Sequence, residues 1–378
     1  MSNLIPYNKP YMTGKELWYV SQAHHSGQLA GDGKFTESCR LWLEQSIGCK
    51  KALMTHSCTA ALEMAAILLD AKPGDEVIMP SYTFVSTANA FVLQGIVPVF
   101  VDIREDTLNL DESLVEKAIT TKTRAIVPVH YAGVGCEMSI LGEIACSQDL
   151  MLIEDAAQGI HSSYKGKPLG SFGELATLSF HETKNIISGE GGALLINDER
   201  LIERAEILRE KGTNRSKFFR GQVDKYTWVD IGSSYLCGEL ICAFLFAQLE
   251  ESQRITDERI KIWRTYHSAF AELESAGKLK RPMIPDTCSH NGHIYYLLLS
   301  SLEERTRFIE FFCERNIKAI FHYVPLHDSP AGKKYGRSYG SLSNTEHLSE
   351  CLIRLPIWIG LDPQPVIKAV YHFFDKYC

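Results

Sequence analysis

The feature that most constrains the fold is an alternation of short apolar segments with segments of helical periodicity between residues 50 and 200. Apolar and β-branched residues predict strands at residues 51–54, 76–79, 97–102, 124–129, 150–154, 175–180 and 192–196. Helical spacing follows the earlier strands at residues 59–69, 85–94, 114–119 and 140–147. Strands that alternate with helices form a mostly parallel sheet covered on both faces. We therefore predict a three-layer α/β domain, with an antiparallel part where the last two strands follow each other without a helix.

The pattern changes after residue 196. Residues 199–211 are predicted to be helical, residues 212–230 to form a polar, aromatic and basic loop, and residues 236–273 to be a long helical stretch. A smaller α/β segment follows, with a strand at 293–299, a helix at 303–316 and a strand at 320–323. We predict a large domain of residues 1–250 and a small C-terminal domain of residues 251–378. Residues 1–20 are candidates to pack on the small domain.

Composition narrows the class of protein. Of the 378 residues, 45% are hydrophobic and 22% are charged, which is typical of a soluble globular chain. The formal charge of −7 disfavours nucleic-acid binding, because proteins that bind phosphate backbones usually carry a basic excess. Eleven scattered cysteines without a Cys-x-x-Cys pair indicate reduced thiols in a cytoplasmic protein, with neither a disulfide framework nor a metal site. No export signal is visible at the start, and polar residues interrupt the most apolar stretch, residues 88–101, so we expect no membrane insertion.

Two chemically active side chains lie at the exits of consecutive predicted strands. Asp155 ends one strand, and Lys184 follows the next. Ligands of open α/β sheets bind at the carboxyl ends of the strands. A lysine and a carboxylate at one edge suit pyridoxal 5′-phosphate (PLP), because the amine forms a Schiff base and the carboxylate keeps the ring nitrogen protonated. Taken singly, each residue is more simply explained as a solvated charge or a turn former.

The other requirements of PLP also have candidates. Its phosphate needs donors at a helix N-terminus, and the first strand runs into a hydroxyl-rich helix start where Ser57, Thr59 and the Ala60 amide could bind it. Its ring needs an apolar plate, for which Phe84 or Tyr82 is available. The simpler explanations are an ordinary helix cap and a core aromatic residue.

Five segments make a family resemblance specific: Ser57-Cys-Thr-Ala-Ala-Leu, Pro80-Ser-Tyr-Thr-Phe-Val-Ser-Thr, Glu154-Asp-Ala-Ala-Gln, Ser179-Phe-His-Glu-Thr-Lys-Asn and Gly189-Glu-Gly-Gly. In this order they resemble the DegT/DnrJ/EryC1/StrS family of sugar-nucleotide aminotransferases, which are PLP enzymes of fold type I, the aspartate-aminotransferase fold. The resemblance extends over nearly the whole chain, from Ile5-Pro-Tyr-Asn-Lys-Pro to Arg354-Leu-Pro-Ile.

The resemblance implies a role for each matching residue. Lys184 would bind PLP covalently and move the proton, Asp155 would pair with the ring nitrogen, and Gln158 would lie near the ring hydroxyl. The remaining cofactor contacts implied are the amides of Thr59 and Ala60, the hydroxyl of Ser179 and the stacking ring of Phe84. The family also implies a homodimer with shared active sites, in which the partner's Gly-x-x-Tyr loop, here residues 232–235 with Ser234, reaches the phosphate.

Two further segments resemble the members that form TDP-4-amino-4,6-dideoxygalactose: residues 211–228 and Phe321-His-Tyr-Val-Pro-Leu-His. This implies amino transfer from L-glutamate, which leaves as 2-oxoglutarate, to TDP-4-keto-6-deoxy-D-glucose, for surface-polysaccharide synthesis such as that of enterobacterial common antigen or lipopolysaccharide. Candidate substrate contacts are His322, Tyr323 and His327, with Lys217 and Arg220 for the diphosphate. Structural histidines and a solvated loop are the alternatives.

Other activities stay open at this point. The same fold serves aminotransferases that give the gluco-configured 4-amine or a 3-amine, and the sequence does not decide between them. Related dehydratases carry histidine in place of the lysine, so Lys184 favours amino transfer. A non-enzymatic regulator on this fold is less consistent with the joint presence of Lys184, Asp155 and Gln158.

Overall fold

The chain forms alternating helices and strands, and this computed structural model describes residues 4–377. The elements of the first half are α1 (Glu16–Ser26), α2 (Lys34–Ile47), β1 (Lys51–Thr55), α3 (Cys58–Leu68), β2 (Glu76–Pro80), α4 (Val85–Val92), β3 (Val97–Val101), α5 (Glu112–Ala118), β4 (Thr123–Ile126), α6 (Met138–Ser147), β5 (Met151–Asp155), β6 (Ser163–Tyr164), β7 (Lys167–Pro168), β8 (Leu175–Ser179) and β9 (Gly192–Ile196). Those of the second half are α7 (Ile202–Arg209), α8 (Arg215–Phe219), α9 (Glu239–Glu250), α10 (Ser252–Ala269), α11 (Ala271–Ser275), β10 (Cys288–Ser289), β11 (Tyr295–Leu298), α12 (Leu302–Glu314), α13 (Pro330–Tyr335), β12 (Arg337–Ser338), α14 (Ser343–Cys351), β13 (Leu352–Leu355) and α15 (Gln364–Tyr377).

Eight strands form the main sheet in the order β1-β9-β8-β5-β4-β2-β3-β12. Strand β9 runs antiparallel to both of its neighbours, β1 and β8, whereas the remaining pairs of the sheet are parallel. The predicted mostly parallel sheet with an antiparallel part is therefore confirmed. Because β1, β2, β5 and β8 run in one direction, their carboxyl ends meet at one edge of the sheet, as open α/β folds require for a site.

The sheet is covered on both faces, which makes the three layers. Alternate residues of β9 point to opposite cores: Leu194 and Ile196 pack with α3 and α4, and Ala193 and Leu195 pack with α2 and α9. Helices α5 and α6 cover the second face beside strands β3, β4 and β5. This two-residue period explains why the buried strands have nearly continuous apolar sequences.

A second core lies in the C-terminal part of the chain. Helices α10, α12 and α15 pack around the antiparallel pair β11–β13, with Phe308 stacked on Phe312 at 4.2 Å between ring centroids. The N-terminal segment joins this core, since Ile5 bridges to Ile317 and Trp358 Nε1 donates to the Pro6 carbonyl at 3.0 Å. Helix α1 instead packs on α9 and the large core. The domain boundary near residue 250 stays a prediction.

The structure corrects several predicted elements. No strand covers residues 320–323: only Ile320 makes an isolated bridge, to Arg354, because β13 takes the place beside β11. The long helix predicted for residues 236–273 is three helices, α9, α10 and α11, of which α9 belongs to the large core and most of α10 to the second one. The predicted loop 212–230 contains α8, and helices α1 and α2 precede the region where periodicity was evident.

Among residues 4–377, no helix has the length and apolar character needed to cross a membrane. The ten cysteines in this part of the chain are free thiols, and no group of three or more metal-ligating side chains is found there.

Candidate active site

A cavity of about 630 Å³ opens at the edge of the sheet where β1, β2, β5 and β8 end. Nine of the residues predicted for the site line it together: Ser57, Thr59, Phe84, Asp155, Gln158, Ser179, Lys184, His322 and Tyr323. The sheet thus brings together the residues that the sequence places at four separate strand exits. The cavity also has a second wall, which comes from the C-terminal core.

Lys184 lies in the turn after β8. Its amide donates to the His181 carbonyl at 2.9 Å, and the next residue, Asn185, is buried and donates to the Asn291 carbonyl at 2.8 Å. The backbone is therefore fixed while the side chain points into the cavity. Burial lowers the pKa of Lys184, and the positive charge of Arg354 acts in the same direction, against Asp155 and Cys58. A lowered pKa increases the fraction of free amine, the form that attacks a carbonyl.

Asp155 is the last residue of β5 and is 5% exposed. One carboxylate oxygen, Oδ1, accepts the Ala157 amide at 3.1 Å, and Oδ2 accepts the hydroxyl of Thr87 at 2.7 Å. These two donors hold the buried carboxylate in one orientation. An ionised carboxylate has further acceptor positions, so Asp155 can also accept a protonated ring nitrogen.

The start of α3 forms the end of the cavity next to β1. Ser57 is the N-cap, and its hydroxyl accepts the Ala60 amide at 3.1 Å. The Ala60 amide, predicted to bind phosphate, is thus engaged by the cap, and Ala60 does not line the cavity. Thr59 does line it, and a helix start offers further amides without intrahelical partners. Gly192 of β9 permits this arrangement, since a Cβ there would lie 2.4 Å from the Cys58 nitrogen.

Phe84 is the aromatic residue available as a plate for a ring. It is the N-cap residue of α4 and is 57% exposed at the cavity. Tyr82, the alternative, is buried in the core and donates its hydroxyl to the His322 carbonyl. Phe84 therefore offers a free face, whereas Tyr82 supports the opposite wall.

Gln158 joins the two walls. Its Oε1 accepts the Ala132 amide at 2.7 Å, which orients the side chain, and its Nε2 donates to the Tyr323 hydroxyl at 3.2 Å. His322, beside Tyr323, interacts through Nδ1 with the Tyr131 hydroxyl at 3.2 Å. Burial lowers the pKa of His322 well below its usual range, so this imidazole is neutral near pH 7.

Comparison with known proteins identifies the family of the chain. Residues 10–373 match the model of the DegT/DnrJ/EryC1/StrS aminotransferase family. The chain belongs to this family. SpsC of Bacillus subtilis, a spore coat polysaccharide biosynthesis protein, is 30% identical over 380 residues, covering 98% of this chain and 97% of SpsC.

Two solved structures are similar over almost their full lengths. PseC of Helicobacter pylori, an aminotransferase involved in the biosynthesis of pseudoaminic acid, has a TM-score of 0.90 at 26% identity and covers 99% of this chain and 100% of PseC. Spr1654 of Streptococcus pneumoniae in its PMP-form has a TM-score of 0.90 at 27% identity, covering 98% of this chain and 99% of that one, and a PLP-form is also known. PLP is accordingly the cofactor of this aminotransferase, and the chain has the α/β architecture of fold type I.

The cavity of this aminotransferase fits PLP on its own geometry. The amine of Lys184, the carboxylate of Asp155, the start of α3 and the face of Phe84 all open into one space. The glycine at position 192 keeps the start of α3 close to β9, which a side chain would prevent. Each of the four requirements of the cofactor therefore has a residue beside the cavity.

Several residues of the aminotransferase site were missed by sequence reasoning: Tyr7, Thr87, Arg259, His293 and Arg354. Tyr7, Thr87 and Arg354 stand inside or at the edge of the segments that carry the family resemblance, which was the available signal. Arg259 is buried, and its guanidinium donates to the carbonyls of Gly292 and His293 at 3.2 and 2.8 Å. Burial lowers its pKa to about 10.

Other predicted residues lie outside the cavity of this chain. Lys217 pairs with Glu203 at 2.6 Å, and Arg220 pairs with Glu206 at 2.8 Å. His327 bonds to Ser81 at 2.7 Å and approaches Glu346 at 3.2 Å, so its ring supports the loop rather than facing the cavity. Ser234 is exposed in the segment before α9. Roles for these residues in substrate or cofactor binding stay predictions.

Proposed function

We propose that this aminotransferase converts TDP-4-keto-6-deoxy-D-glucose to TDP-4-amino-4,6-dideoxy-D-galactose with L-glutamate as donor, for surface-polysaccharide synthesis in the cytoplasm. The observation that carries this proposal is the segment Phe321–His327. Its sequence resembles that of transaminases with this substrate, and two of its residues, His322 and Tyr323, line the cavity that contains Lys184. The similarity to SpsC and PseC, which serve polysaccharide and sugar biosynthesis, supports a sugar acceptor.

When bound, PLP carries the amino group from donor to acceptor, and its protonated ring stabilises negative charge at the carbon that loses a proton. Lys184 would hold the cofactor through its amine and, once released, move a proton at Nζ. Asp155 would keep the ring nitrogen protonated, with Ala157 and Thr87 holding the carboxylate in place. Ser57, Thr59 and Ser179 would bind the phosphate, and Phe84 would cover the ring.

The amino donor needs a cation for its carboxylate. The basic side chains that line the cavity within residues 4–377 and are not histidine are Lys184, Arg259 and Arg354. Arg259 has two of its donors on backbone carbonyls. Arg354 makes one such bond, to Phe321 at 3.1 Å, lies 4.7 Å from the centre of the Tyr7 ring, and has a buried Nε without a hydrogen-bond partner. We assign the donor carboxylate to Arg354, because guanidinium and carboxylate groups pair well.

The sugar has hydroxyl groups, and two neutral histidines can accept hydrogen bonds from them. Asn185 uses its Nδ2 on Asn291, so its Oδ1 faces His293 Nδ1 at 2.9 Å. The Nδ1 atom of His293 is thus protonated, and its Nε2 is an acceptor. Burial lowers the pKa of His293 well below its usual range, with Lys184, Arg259 and Arg354 adding to the effect. Both His293 and His322 therefore stay acceptors at neutral pH.

A second copy of the chain would complete the site. The segment around α8 exposes large apolar side chains, with Phe219 at 69% and Trp228 at 78% exposure, and such patches usually mark an interface. Ser234 is exposed nearby in sequence, as a residue that reaches a partner's phosphate site must be. We propose a homodimer in which Lys217 and Arg220 exchange their glutamate partners for the substrate diphosphate.

Product analysis tests this proposal. The holoenzyme is incubated with TDP-4-keto-6-deoxy-D-glucose and L-glutamate, and the product is solved by proton NMR. We expect an axial amine at C-4 and one 2-oxoglutarate per amine. An equatorial C-4 amine, a 3-amine, loss of water from the sugar, or no reaction with this acceptor would each contradict it. Lys184→Ala is the inactive control.

A further inference from the structure

Two threonines stand behind the carboxylate that faces the cofactor ring. Thr87 and Thr83 are 0% and 2% exposed and lie on either side of Phe84, in the segment that leads from β2 into α4. The hydroxyl of Thr87 lies 2.7 Å from Asp155 Oδ2 and 2.8 Å from the hydroxyl of Thr83.

The direction of the two hydrogen bonds follows from proton counting. An ionised carboxylate can only accept, so Thr87 must donate its single hydroxyl proton to Asp155. Thr87 then has only lone pairs left for Thr83, and Thr83 must be the donor of the second bond. The hydroxyls form a one-way chain, Thr83 to Thr87 to Asp155, and each bond polarises the next.

The hydroxyl chain acts on the position of the carboxylate. The other groups that face Asp155 are Lys184 from the turn after β8, Cys58 from α3 and Tyr323 from the C-terminal wall. Of these, Cys58 has a pKa raised to about 12 by burial, and burial also raises the pKa of Tyr323, so both are neutral near pH 7. Thr87 donates the hydrogen bond to Oδ2, beside the charged Lys184. This bond fixes the torsion of the carboxylate, because Ala157 donates to the other oxygen.

We propose that Thr87, supported by Thr83, is a positioning residue that holds the carboxylate of Asp155 aimed at the protonated ring nitrogen of PLP. The same segment carries Phe84, so one short stretch of chain sets both the stacking face and the ring-nitrogen contact. This inference rests on the proposed role of Asp155. It adds that the hydroxyl of Thr87, rather than its bulk, is what the site uses.

Three variants separate the hydroxyl from the side-chain volume. Thr87→Val keeps the shape and removes the hydroxyl, Thr87→Ser keeps the hydroxyl, and Thr83→Val removes only the second link. The readouts are the dissociation constant of PLP from spectrophotometric titration, the rate of the single-turnover half-reaction with L-glutamate, and the melting temperature of the apoprotein. We expect Thr87→Val to weaken PLP binding and slow the half-reaction, each by about tenfold or more, the size of a lost bond to a charged group. Thr87→Ser is expected to stay close to the unmodified enzyme, and Thr83→Val to fall between.

A double-mutant cycle with Asp155→Asn completes the test. If Thr87 acts through Asp155, adding Thr87→Val to Asp155→Asn causes little further loss in the half-reaction. Multiplicative losses in the double variant, a Thr87→Ser defect as large as that of Thr87→Val, or Thr87→Val within twofold of the unmodified enzyme would overturn the inference. An unimpaired Asp155→Asn enzyme would instead overturn the proposed role of Asp155 itself. The two failures are therefore distinguishable.

Discussion

The two walls of the cavity are built in different ways. The sheet wall, formed by Ser57, Thr59, Asp155, Ser179 and Lys184, takes its residues from the exits of β1, β5 and β8. The C-terminal wall, formed by Arg259, His293, His322, Tyr323 and Arg354, takes its residues from helix α10, strand β13 and irregular segments far apart in sequence.

The hydrogen bonds of the two walls also differ in how far apart in sequence their partners lie. On the sheet wall several are local: Ala157 donates to Asp155, Ala60 to Ser57, and the Lys184 amide to His181. The bond from Thr87 to Asp155 joins two strand exits of the same sheet. On the C-terminal wall they connect distant segments, as in the bonds of His293 to Asn185 and of Tyr323 to Gln158. The comparison suggests that cofactor chemistry depends on local sequence at the strand ends, whereas choice of donor and acceptor depends on how the second core packs against the sheet.

The largest expected effect comes from breaking the sheet wall at Lys184. Lys184→Ala removes the amine that binds the cofactor and moves the proton, and general acid–base catalysis alone contributes about 10²- to 10⁴-fold. We expect turnover to fall by at least about 10³-fold and the visible absorbance of the cofactor–lysine linkage to disappear. Steady-state assay and absorbance spectroscopy measure both. Lys72→Ala, at an exposed turn, is the matched control and should leave both unchanged.

A Lys184→Ala protein that retained either the absorbance band or more than a small fraction of its activity would contradict the role of Lys184 in binding PLP and moving the proton. In that case another amine would have to bind the cofactor. Within residues 4–377 no other lysine lines the cavity.

The two walls also differ in how well the sequence predicted their residues. Lys184 and Asp155 could be predicted because each immediately follows a recognisable strand, and parallel strands bring their exits together. His293 could not, since nothing local marks a residue before β11 as facing a cavity formed by another part of the chain. For Arg354 the family resemblance of its segment was the available signal. The strand predicted at residues 320–323 was wrong: Ile320 makes one isolated bridge to Arg354 of β13, and Phe321 is 48% exposed rather than buried in a sheet. The Ala60 amide donates to the hydroxyl of the capping residue Ser57, which no local pattern distinguishes from a phosphate contact, and its role in binding phosphate stays a prediction.

The second prediction sharpens the C-terminal wall. Arg354→Gln removes the cation assigned to the donor carboxylate, and a hydrogen-bonded charge pair contributes about 1.5–3 kcal/mol, or about 10- to 100-fold in affinity. We expect the apparent KM for L-glutamate to rise by that factor in the first half-reaction. The second half-reaction, with the ketosugar and the pre-aminated enzyme, should change little. Arg354→Lys keeps the charge without the guanidinium fork and should recover part of the loss.

Single-turnover kinetics of the two half-reactions test Arg354 directly. Equal losses in both halves would mean that Arg354 supports the wall through Phe321 and Tyr7 rather than recognising the donor. An unchanged KM for L-glutamate would exclude it as the carboxylate site.

The smallest expected effect concerns the pH range in which the second core, behind the C-terminal wall, is stable. Four histidines after residue 250 have a lowered pKa, in each case chiefly through burial: His267, His290, His293 and His322. His290 is the one that lends itself to measurement, because it lies away from the cavity against Trp263, at 4.4 Å between ring centroids, and its pKa is lowered to about 4. Its Nδ1 accepts the Gly292 amide at 3.2 Å, a bond that only the unprotonated nitrogen makes.

The sign of the pH dependence follows from that shift. An unfolded chain takes up the proton near the ordinary histidine pKa of about 6.5, whereas folded His290 does so only near 4. The stabilisation is therefore complete above about pH 6.5 and is lost progressively as the pH falls toward 4.

His290→Gln removes this dependence of stability on pH. Between pH 7.5 and 5.0 we expect the variant to lose about 1 kcal/mol less free energy of unfolding than the unmodified protein, after allowance for its partial exposure. Urea unfolding at the two pH values measures the difference, with the exposed His24→Gln as control. If His290→Gln and the unmodified protein lost stability in parallel, His290 would not contribute to the acid sensitivity, and other titratable groups would account for it.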